Sequence, residues 1–488
     1  MVLLYNPRST FSQRTPLPMS LLAVASTLGE RDVEIVDGNC EPDPVGRIIA
    51  SATRNRPTAI GVTVMPGPQL NQALPDTRRL KAALPDVPIV WGGYFPSQHA
   101  TTVLHDDAVD YCVVGQGERA FPALLDTLDH GGALSSIPGL VYRDAGAVRD
   151  NGPAALEPLD PLPQWPYDRL PMERYLHTHY LGRRVGAHHS SYGCAFRCNF
   201  CGIVPIAGGR WVAESAERTA TVLRLLQTTY GMDAVQFHDM DFFISEKRTA
   251  EFAERITPFG LTWWALGRID ELMRYADTTW RAMAASGLKM VYCGVESASP
   301  ERLAQLNKGG TAHPDQALAL ARRSQAYGIV PEFSFMVGTP PDPMADAEAT
   351  FEFIRRIKSI NPAAEIILYT YTPLPVDGTL WDEARRLGFT YPDTLDEWVN
   401  GEWSTFALRR DPRTPWLSDR ARRRTRNFEK VLNAFYPTVT DTRLTGMRRA
   451  LLRGLGSWRY QLRCYAWPLE LDILQRLVRY RRPETAGF

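Results

Sequence analysis

The chain has 488 residues, of which 44% are hydrophobic and 22% are charged, and its 55 Lys and Arg against 54 Asp and Glu give a formal net charge of +1. This length corresponds to two or three average domains, and the composition excludes a disordered or fibrous chain. The balanced charge argues against a dedicated nucleic-acid binder.

The first third of the chain alternates short apolar runs with longer stretches of helical spacing. Continuous apolar strands separated by helices are typical of a parallel sheet that is covered on both faces. We therefore predict an α/β fold that begins with a doubly wound, Rossmann-like domain over residues 1–150, with any ligand at the carboxyl ends of its strands. The predicted strands are Val2–Tyr5, Val33–Val36, Ala59–Val64, Pro88–Trp91 and Tyr111–Val114, followed by a hairpin over Leu140–Asp150.

A proline-dense segment, Gly152–Pro171, predicts a linker over residues 151–180, because proline fixes φ and removes a backbone donor. A second series of strand and helix patterns occupies residues 181–400. About six such units indicate a partial or complete (β/α) barrel, whose chemistry would lie at the carboxyl ends of the strands. Its predicted strands are Val185–Ser191, Ala234–His238, Thr262–Leu266, Lys289–Val295, Glu332–Val337 and Glu365–Thr370.

Residues 401–488 are predicted to form a mainly helical, basic C-terminal module. From Arg409 to Phe488 there are 19 Lys and Arg and 7 Asp and Glu, a net charge of +12. One interpretation is a solvated helical cap whose long side chains cover apolar surface. The other is a surface for acidic lipids, an anionic cofactor or a partner.

The most informative segment is SSYGCAFRCNFCGIV, in which Cys194, Cys198 and Cys201 have a C-x3-C-x2-C spacing directly after a predicted strand. Three thiolates on one loop can hold three irons of a [4Fe–4S] cluster and leave the fourth iron open for a chelating substrate. Zinc, with His188 or His189 completing the ligand set, is an alternative. Core cysteines without a metal are another.

The chain resembles the radical S-adenosylmethionine (SAM) superfamily, whose signature is this cysteine spacing with an aromatic residue, here Phe200, before the last cysteine. The resemblance implies that the open iron binds SAM and that one electron cleaves SAM to methionine and a 5′-deoxyadenosyl radical. That radical would abstract a hydrogen atom from a small-molecule substrate. An electron donor is also implied, either a flavodoxin- or ferredoxin-like protein or a dedicated reductase.

Later motifs follow in the order that the superfamily has. They are VQFHDMDFF, LGRID, YCGVESAS and FSFMVGTP, and the resemblance implies that SAM is bound by Phe200, Asp239, Arg268, Glu296 and Gly338. The first motif departs from the common F-x-D-D-x-F pattern, because Met240 replaces the second acid and Asp241 follows it. We take His238, Asp239 and Asp241 as candidate catalytic residues that handle protons. An interior polar group satisfied by its neighbours is the other interpretation.

The N-terminal domain resembles the cobalamin-binding domain of the cobalamin-dependent radical SAM group. The resemblance rests on GVTVMPGPQ, WGGYFPS and VDYCVVGQGE, and implies that cobalamin, if bound, meets Thr63, Gly67, Gln69, Gly92, Gly93, Gly115, Gly117 and Glu118. The loop DGNCEPD places Asn39 where the pattern D-x-H-x-x-G has a histidine, so this loop would supply no lower axial ligand. A scaffold that binds no corrin is therefore the alternative.

Two enzymatic functions follow from these alternatives. With cobalamin, the resemblance implies methylation at an unactivated carbon of a natural-product intermediate. Without it, the comparisons are dehydration or deoxygenation of a sugar diol, as in aminoglycoside biosynthesis, and oxidative cyclisation. A non-catalytic cobalamin or Fe–S sensor would need an output module, and the sequence has no helix-turn-helix signature.

The expected compartment is the cytoplasm. No apolar run reaches the roughly 18 residues of a membrane-spanning helix. The N-terminal stretch MVLLYNPRST lacks the basic head and apolar core of a secretory signal. The seven cysteines are odd in number and unevenly spread, which is not typical of a disulfide framework.

Overall fold

A seven-stranded sheet forms the N-terminal part of the computed structural model, which describes residues 1–10, 14–308, 312–376, 378–403, 414–441 and 444–478. Its strands are β1 (Val2–Asn6), β2 (Val33–Asp37), β3 (Ile60–Thr63), β4 (Ile89–Gly92), β5 (Tyr111–Val113), β6 (Leu140–Asp144) and β7 (Ala147–Asp150). Their order is β2-β1-β3-β4-β5-β6-β7, in which the first five strands are parallel and the β6–β7 hairpin is antiparallel.

Helices cover both faces of this sheet, which confirms the predicted doubly wound fold. They are α1 (Met19–Ser26), α2 (Pro44–Asn55), α3 (Pro68–Ala83), α4 (Pro96–Leu104) and α5 (Gly117–His130). Side chains of α1 and α5 share one core with Leu4 and Val90, whereas those of α2, α3 and α4 share the other core with Leu3 and Trp91. Strands buried on both sides need apolar residues at every position, and this is why they read as continuous apolar runs.

Six parallel strands form the second sheet. They are β8 (Val185–His188), β11 (Ala234–Phe237), β12 (Thr262–Gly267), β13 (Leu288–Glu296), β14 (Val330–Val337) and β15 (Glu365–Thr370). Their order is β15-β14-β13-β12-β11-β8, so the described part of the barrel is an open, partial one. Its helices are α6 (Val204–Ala207), α7 (Ala216–Tyr230), α8 (Glu246–Ile256), α9 (Ile269–Arg274), α10 (Asp277–Ala285), α11 (Pro300–Gln305), α12 (Pro314–Ala326), α13 (Pro343–Ile360), α14 (Thr379–Arg386) and α15 (Leu395–Trp398).

One predicted strand, Val185–Ser191, is divided into two in the structure. The chain leaves the barrel after β8, and β9 (Ser191–Gly193) pairs antiparallel with β10 (Trp211–Ala213). The division has a local cause, because the hydroxyl groups of Ser190 and Ser191 donate hydrogen bonds to the carboxylate of Asp239. The chain therefore turns away from the sheet just before the cysteine segment.

Two connecting segments join the N-terminal domain to the barrel. The predicted linker contains two short 3-10 turns, Tyr167–Arg169 and Met172–Arg174, and its Tyr175 hydroxyl donates to Asp37 Oδ2 at 2.8 Å. Residues 379–403, of which we placed 379–400 in the barrel region and 401–403 in the C-terminal module, contribute Phe389, Trp398 and other side chains to the core that α2, α3 and α4 share. Both segments thus pack against the N-terminal domain.

The C-terminal module is helical in its described residues, as predicted. It contains the helices Asp419–Phe435, Gly446–Gln461 and Leu469–Val478. Phe428 of the first helix stacks on Phe351 of α13 with ring centres 4.0 Å apart, so this module covers the outside of the barrel. Among the described residues, no helix is both long and apolar enough to pass through a bilayer.

Candidate active site

The three motif cysteines lie on one loop between β9 and α6, and none of them is in a disulfide. The loop is fastened to the end of α11 by backbone and side-chain hydrogen bonds. Asn199 donates from its backbone N to the Leu306 carbonyl at 3.0 Å, and Asn307 Nδ2 donates to the Arg197 carbonyl at 2.8 Å. The loop is therefore held in place at the carboxyl end of the barrel.

Two buried cations lie beside the cysteine loop. Arg268 Nη1 is 3.6 Å from Cys198 Sγ, and its guanidinium lies 3.7 Å from the centre of the Phe196 ring. Burial raises the pKa of the Cys198 thiol, whereas the positive charges of Lys308 and Arg268 lower it. Burial also raises the pKa of Cys194, to about 12. Because iron binds the thiolate, the two cations favour the form of the loop that a cluster needs.

Each of these cations has its own carboxylate. Arg268 makes a two-pronged ion pair with Asp270, at 3.0 and 2.9 Å. Lys308 Nζ lies 2.7 Å from Glu296 Oε1 and donates to the Gly294 carbonyl at 2.5 Å. Glu296 has a φ of +69°, which turns the chain at the end of β13. The pairs fix both cations beside the thiols. The sequence did not indicate Lys308, which belongs to no recognised motif, or the role of Asp270, the last residue of LGRID.

Three cysteines outside any disulfide, with adjacent cations, fit an iron–sulfur cluster, which takes one thiolate per iron and carries net negative charge. In the described part of the chain, no three His, Cys, Asp or Glu side chains are grouped closely enough to hold a single metal ion. His188, which we considered as a zinc ligand, is buried and pairs through Nε2 with Glu214 Oε2 at 3.0 Å.

The two acids of the HDMD loop differ in their surroundings. Asp239 is fully buried and accepts hydrogen bonds from Ser190 N at 3.2 Å, from Ser190 Oγ at 2.9 Å and from Ser191 Oγ. Asp241 accepts one bond from Phe243 N at 3.2 Å, and its Oδ2 has no hydrogen-bond partner within the described structure. Burial raises the pKa of Asp241 to about 7, although the charge of Arg268 lowers it. Asp239 therefore holds the chain, whereas Asp241 has an oxygen available for a ligand.

The remaining predicted SAM residues lie around the same opening. Phe200 packs beside Met336, and its ring centre is 6.0 Å from Lys308 Nζ. Gly338 ends β14 with a φ of +83°, and its carbonyl accepts a hydrogen bond from Trp416 Nε1 at 2.9 Å. The C-terminal module therefore reaches the rim of the barrel at Gly338, a contact that no sequence motif indicated.

The interior of the barrel contains polar and aromatic groups. His238 and His189 lie close together, and burial together with the His189 charge lowers the pKa of His238 to about 4. His189 Nε2 lacks a hydrogen-bond partner among the described residues. Trp264 Nε1 donates to Glu332 Oε2 at 3.0 Å on the neighbouring wall. Inward positions such as Tyr292 on β13 are only partly buried, whereas inward positions on β14 such as Glu332 are buried, so part of the barrel interior is exposed to solvent.

Glycines of the first sheet lie at its carboxyl edge, where we predicted a cobalamin site. Gly67, Gly93 and Gly115 follow β3, β4 and β5 with φ values of +84°, +96° and +82°. A β-carbon on Gly93 would lie 3.0 Å from Thr63 Oγ1, whereas one on Gly115 would have no atom within 4 Å. Gly92 ends β4 itself. The surface beside Gly115 is thus open to a flat ligand.

The other residues predicted at this edge have different surroundings. Gln69 is buried and donates to Asn6 Oδ1 at 2.7 Å, so it joins two loops of the protein. A β-carbon on Gly117 would lie 3.2 Å from Val24 Cγ2, which indicates close helix packing. Glu118 is buried, and its Oε1 has no hydrogen-bond partner in the described structure. An unsatisfied buried carboxylate oxygen beside an open glycine edge fits a ligand with hydrogen-bond donors.

Asn39 occupies the position of the missing histidine. Its Oδ1 accepts hydrogen bonds from Ser9 N at 2.9 Å and from Thr10 N at 3.2 Å. The side chain thus fixes the loop after β1. This arrangement agrees with the expectation that the loop supplies no axial ligand.

The two predicted cofactor regions touch. Gln98 Nε2, in α4, donates to the carbonyl of Gly202 at 3.2 Å, and Gly202 directly follows Cys201. A β-carbon on Gly202 would lie 1.7 Å from the Tyr94 hydroxyl, so a larger residue there would displace the Tyr94 side chain. The loop after β4 therefore supports the cysteine loop. Sequence reasoning found the two loops separately and missed their contact.

Comparison with known proteins places the chain in a family. Residues 189–354 match the Radical SAM superfamily, and residues 13–125 match the B12 binding domain. The chain is 32% identical over 377 residues to the uncharacterized methyltransferase PH0819 of Pyrococcus horikoshii. The aligned region covers 75% of this chain and 78% of that protein. The chain belongs to the radical SAM superfamily. Within that superfamily, it has an N-terminal B12-binding domain.

Solved structures share the fold of this radical SAM protein. The methyltransferase TsrM from Kitasatospora setae, with tryptophan substrate and a SAM analog bound, has a TM-score of 0.66 at 19% identity, covering 80% of this chain and 77% of its own. TsrM has also been solved with cobalamin and a [4Fe–4S] cluster bound. OxsB with aqua-cobalamin and SAM bound has a TM-score of 0.60 at 18% identity, covering 83% of this chain and 56% of its own. These structures confirm the predicted order of the two folds.

The first prediction concerns the cysteine loop. Replacing Cys194, Cys198 or Cys201 by Ala should remove most of the iron that the radical SAM protein takes up in anaerobic reconstitution, since each thiolate holds one iron. Cys293→Ala is the matched control, because this buried core thiol lies on β13. Iron and sulfide analysis with visible absorption measures the outcome. A full cluster in any of the three loop variants would contradict the assignment.

The second prediction concerns Glu332 inside the barrel. Burial, with the nearby charge of Glu365, raises its pKa from 4.5 to about 8. The folded protein therefore keeps a proton that the unfolded chain loses, so this group lowers the free energy of unfolding as the pH rises from 4.5 to about 8. We expect Glu332→Gln to flatten that decline. Urea denaturation at pH 5 and pH 8 tests this, with the exposed Glu254→Gln as control, and equal pH dependence in both variants would refute it.

Proposed function

We propose that this radical SAM protein is a cobalamin-dependent methyltransferase that acts at a carbon of a small molecule, of the natural-product type. The observation that carries the proposal is the contact of the two cofactor regions, in which Gln98 holds the carbonyl of Gly202 at 3.2 Å. A corrin at the glycine edge and a cluster on the cysteine loop would lie on adjoining surfaces. The methyltransferase TsrM, which has been solved with both cofactors bound, and the relative PH0819 support the same reading.

In this proposal Cys194, Cys198 and Cys201 hold the [4Fe–4S] cluster. When bound, the cluster supplies the electron that cleaves SAM and so generates a 5′-deoxyadenosyl radical. Arg268 and Lys308 balance the negative charge of the thiolates and exclude water from one side of the loop. Their carboxylate partners keep them in place.

SAM would be bound by side chains around the same opening. We assign the amino group of SAM to Asp241, whose Oδ2 has no other partner in the described structure, and we assign a positioning role to Asp239. Glu296 and the guanidinium of Arg268 face the opening from β13 and β12, and Phe200 and Gly338 complete its rim. A carboxylate that is buried and unpaired gains most from an ammonium partner.

The solvent-exposed part of the barrel interior would take the substrate. His238 is neutral at physiological pH because burial and the nearby His189 lower its pKa to about 4. A neutral imidazole can accept a proton that a substrate loses. Trp264 and Tyr292 supply aromatic surface that holds a substrate away from water.

Cobalamin would lie at the carboxyl edge of the first sheet, where it carries a methyl group when bound. Gly67, Gly93 and Gly115 let a flat macrocycle approach the backbone there. Thr63, Gln69, Gly92 and Gly117 shape the edge, and Glu118 offers an acceptor. The alternative is a dehydratase, deoxygenase or oxidative cyclase without cobalamin, and it predicts an edge that binds no corrin.

The third prediction tests the cobalamin site. Gly115→Val should weaken hydroxocobalamin binding at least about tenfold, because the branched side chain fills the open edge. Gly131→Val is the matched control, since Gly131 has a φ of +83° and is equally open but lies at the C-terminal end of α5. Binding is measured by gel filtration with corrin absorbance. No corrin binding by the wild type would favour the alternative reaction.

The fourth prediction tests the reaction. The anaerobically reconstituted protein should convert SAM to 5′-deoxyadenosine under reduction, as measured by mass spectrometry. Asp241→Asn should lower this turnover at least about tenfold through weaker SAM binding, since an ionic hydrogen bond contributes ~1.5–3 kcal/mol. Met240→Ala, at the exposed neighbouring position, should leave SAM binding unchanged. Unaltered SAM affinity in Asp241→Asn would overturn the assignment of Asp241.

A further inference from the structure

The helix Gly446–Gln461 is apolar on two opposite faces. Its inner face, with Leu452, Gly456 and Tyr460, is buried against the rest of the C-terminal module. Its outer face exposes a row of large apolar side chains spaced four, four, three and four residues apart. These are Met447, Leu451, Leu455, Trp458 and, one position beyond the helix, Leu462, with exposed fractions of 86%, 50%, 38%, 44% and 73%. At 100° per residue these positions fall within one sector of about 80°.

The following segment continues this exposed surface. Trp467, Leu469 and Ile473 are 77%, 62% and 61% exposed. Of the 11 exposed large hydrophobic residues in the described structure, 8 therefore lie between Met447 and Ile473. We call these eight residues the C-terminal stripe. Such a concentration of exposed apolar side chains in one short part of the chain marks a site of interaction.

The charges beside the stripe are positive. Arg448 is exposed directly beside the stripe, and Arg453 is exposed at the far border of the helix's outer surface, 5.4 Å from the Phe435 ring centre. The acids of this segment are engaged within the protein, since Glu470 pairs with Arg459 and Asp472 pairs with Lys430. The outer surface that carries the stripe therefore also carries two exposed cations, and the neighbouring carboxylates are paired.

We propose that the C-terminal stripe binds the surface of an anionic lipid bilayer. A helix about 24 Å long with an apolar face and two exposed arginines has the form of an element that lies flat in the headgroup region. Tryptophans such as Trp458 and Trp467 are favoured at that depth, because the indole ring is apolar and its N–H stays near water. Arginines attract anionic headgroups and make the binding sensitive to salt.

Other occupants fit these features less well. In a symmetric dimer the stripe would face its own copy, so Arg448 beside it would meet a like charge. A protein partner would need a groove that receives a convex helix together with the following turn, and an acidic rim. A bilayer needs neither, because lipids adapt to the shape of the inserted side chains.

The test is co-sedimentation of the full-length protein with vesicles of phosphatidylcholine alone and of phosphatidylcholine with phosphatidylglycerol. The wild type should bind the anionic vesicles at least about tenfold more tightly than the neutral ones, and less so as salt is raised. The triple variant Leu451→Ser, Trp458→Ser, Leu462→Ser should lose at least about tenfold in affinity. Arg448→Gln with Arg453→Gln should lose the preference for anionic lipid. Leu387→Ser is the control, because Leu387 is 40% exposed on α14's C-terminal side.

A second measurement needs only the wild type. Brominated lipids should quench the tryptophan emission of bound protein, since only tryptophans in the bilayer interface meet the bromine atoms. Absence of vesicle binding, absence of quenching, or unchanged binding by a folded triple variant would overturn the proposal. Concentration-dependent dimerisation that the triple variant abolishes, without vesicle binding, would assign the stripe to a second copy and equally overturn it.

Discussion

The buried carboxylate of Asp239 determines where the chain leaves the barrel. It accepts hydrogen bonds from the hydroxyls of Ser190 and Ser191, and Arg248 Nη2 donates to the Ser190 hydroxyl at 2.7 Å. An ionised carboxylate in the protein interior is tolerated only while such donors surround it. Because both serines turn toward Asp239, the chain cannot continue the strand beyond β8. The cysteine loop consequently begins at the mouth of the barrel and on the side that faces the N-terminal sheet.

The position of the cysteine loop at the mouth of the barrel determines which charged side chains surround it. Arg268 and Lys308 are each balanced by a carboxylate, so the residues form a neutral arrangement in which cations are nevertheless nearest to the thiols. A negatively charged group that binds beside the cysteine loop is attracted by Arg268 and Lys308. The protein without that group does not have to bury an unpaired charge, because each cation already has a carboxylate partner. Asp241 is the exception, since its second oxygen has no partner in the described residues, and for this reason we propose it as the acceptor for a cationic ligand.

The sequence predicted the strands of both sheets to within one or two residues, because strands buried on both faces are nearly continuous apolar runs. The exception is Val185–Ser191, which runs three residues past the end of β8 and is divided in the structure. The sequence identified the cysteine loop by spacing alone. It did not separate Asp239 from Asp241, since a turn between neighbouring residues decides which carboxylate faces the serines. The sequence could not predict contacts that depend on how distant segments of the chain pack together. Examples are the contacts of Gly202 with Tyr94 and Gln98 and the contact of Trp416 with Gly338. The same holds for Lys308, whose role comes from the position of α11 and not from a motif.

The packing of residues 379–403 has a consequence for biosynthesis. Phe389, Trp398 and their neighbours complete a core whose other members lie between Leu3 and Val141. A ribosome must therefore translate as far as Trp403 before the first domain receives the last of these side chains. Until then, apolar surface on α2, α3 and α4 stays open to chaperones, and an excised N-terminal fragment would carry the same exposed face. The N-terminal domain therefore completes its folding only together with the segment that follows the barrel, although the two look like separate modules in the sequence.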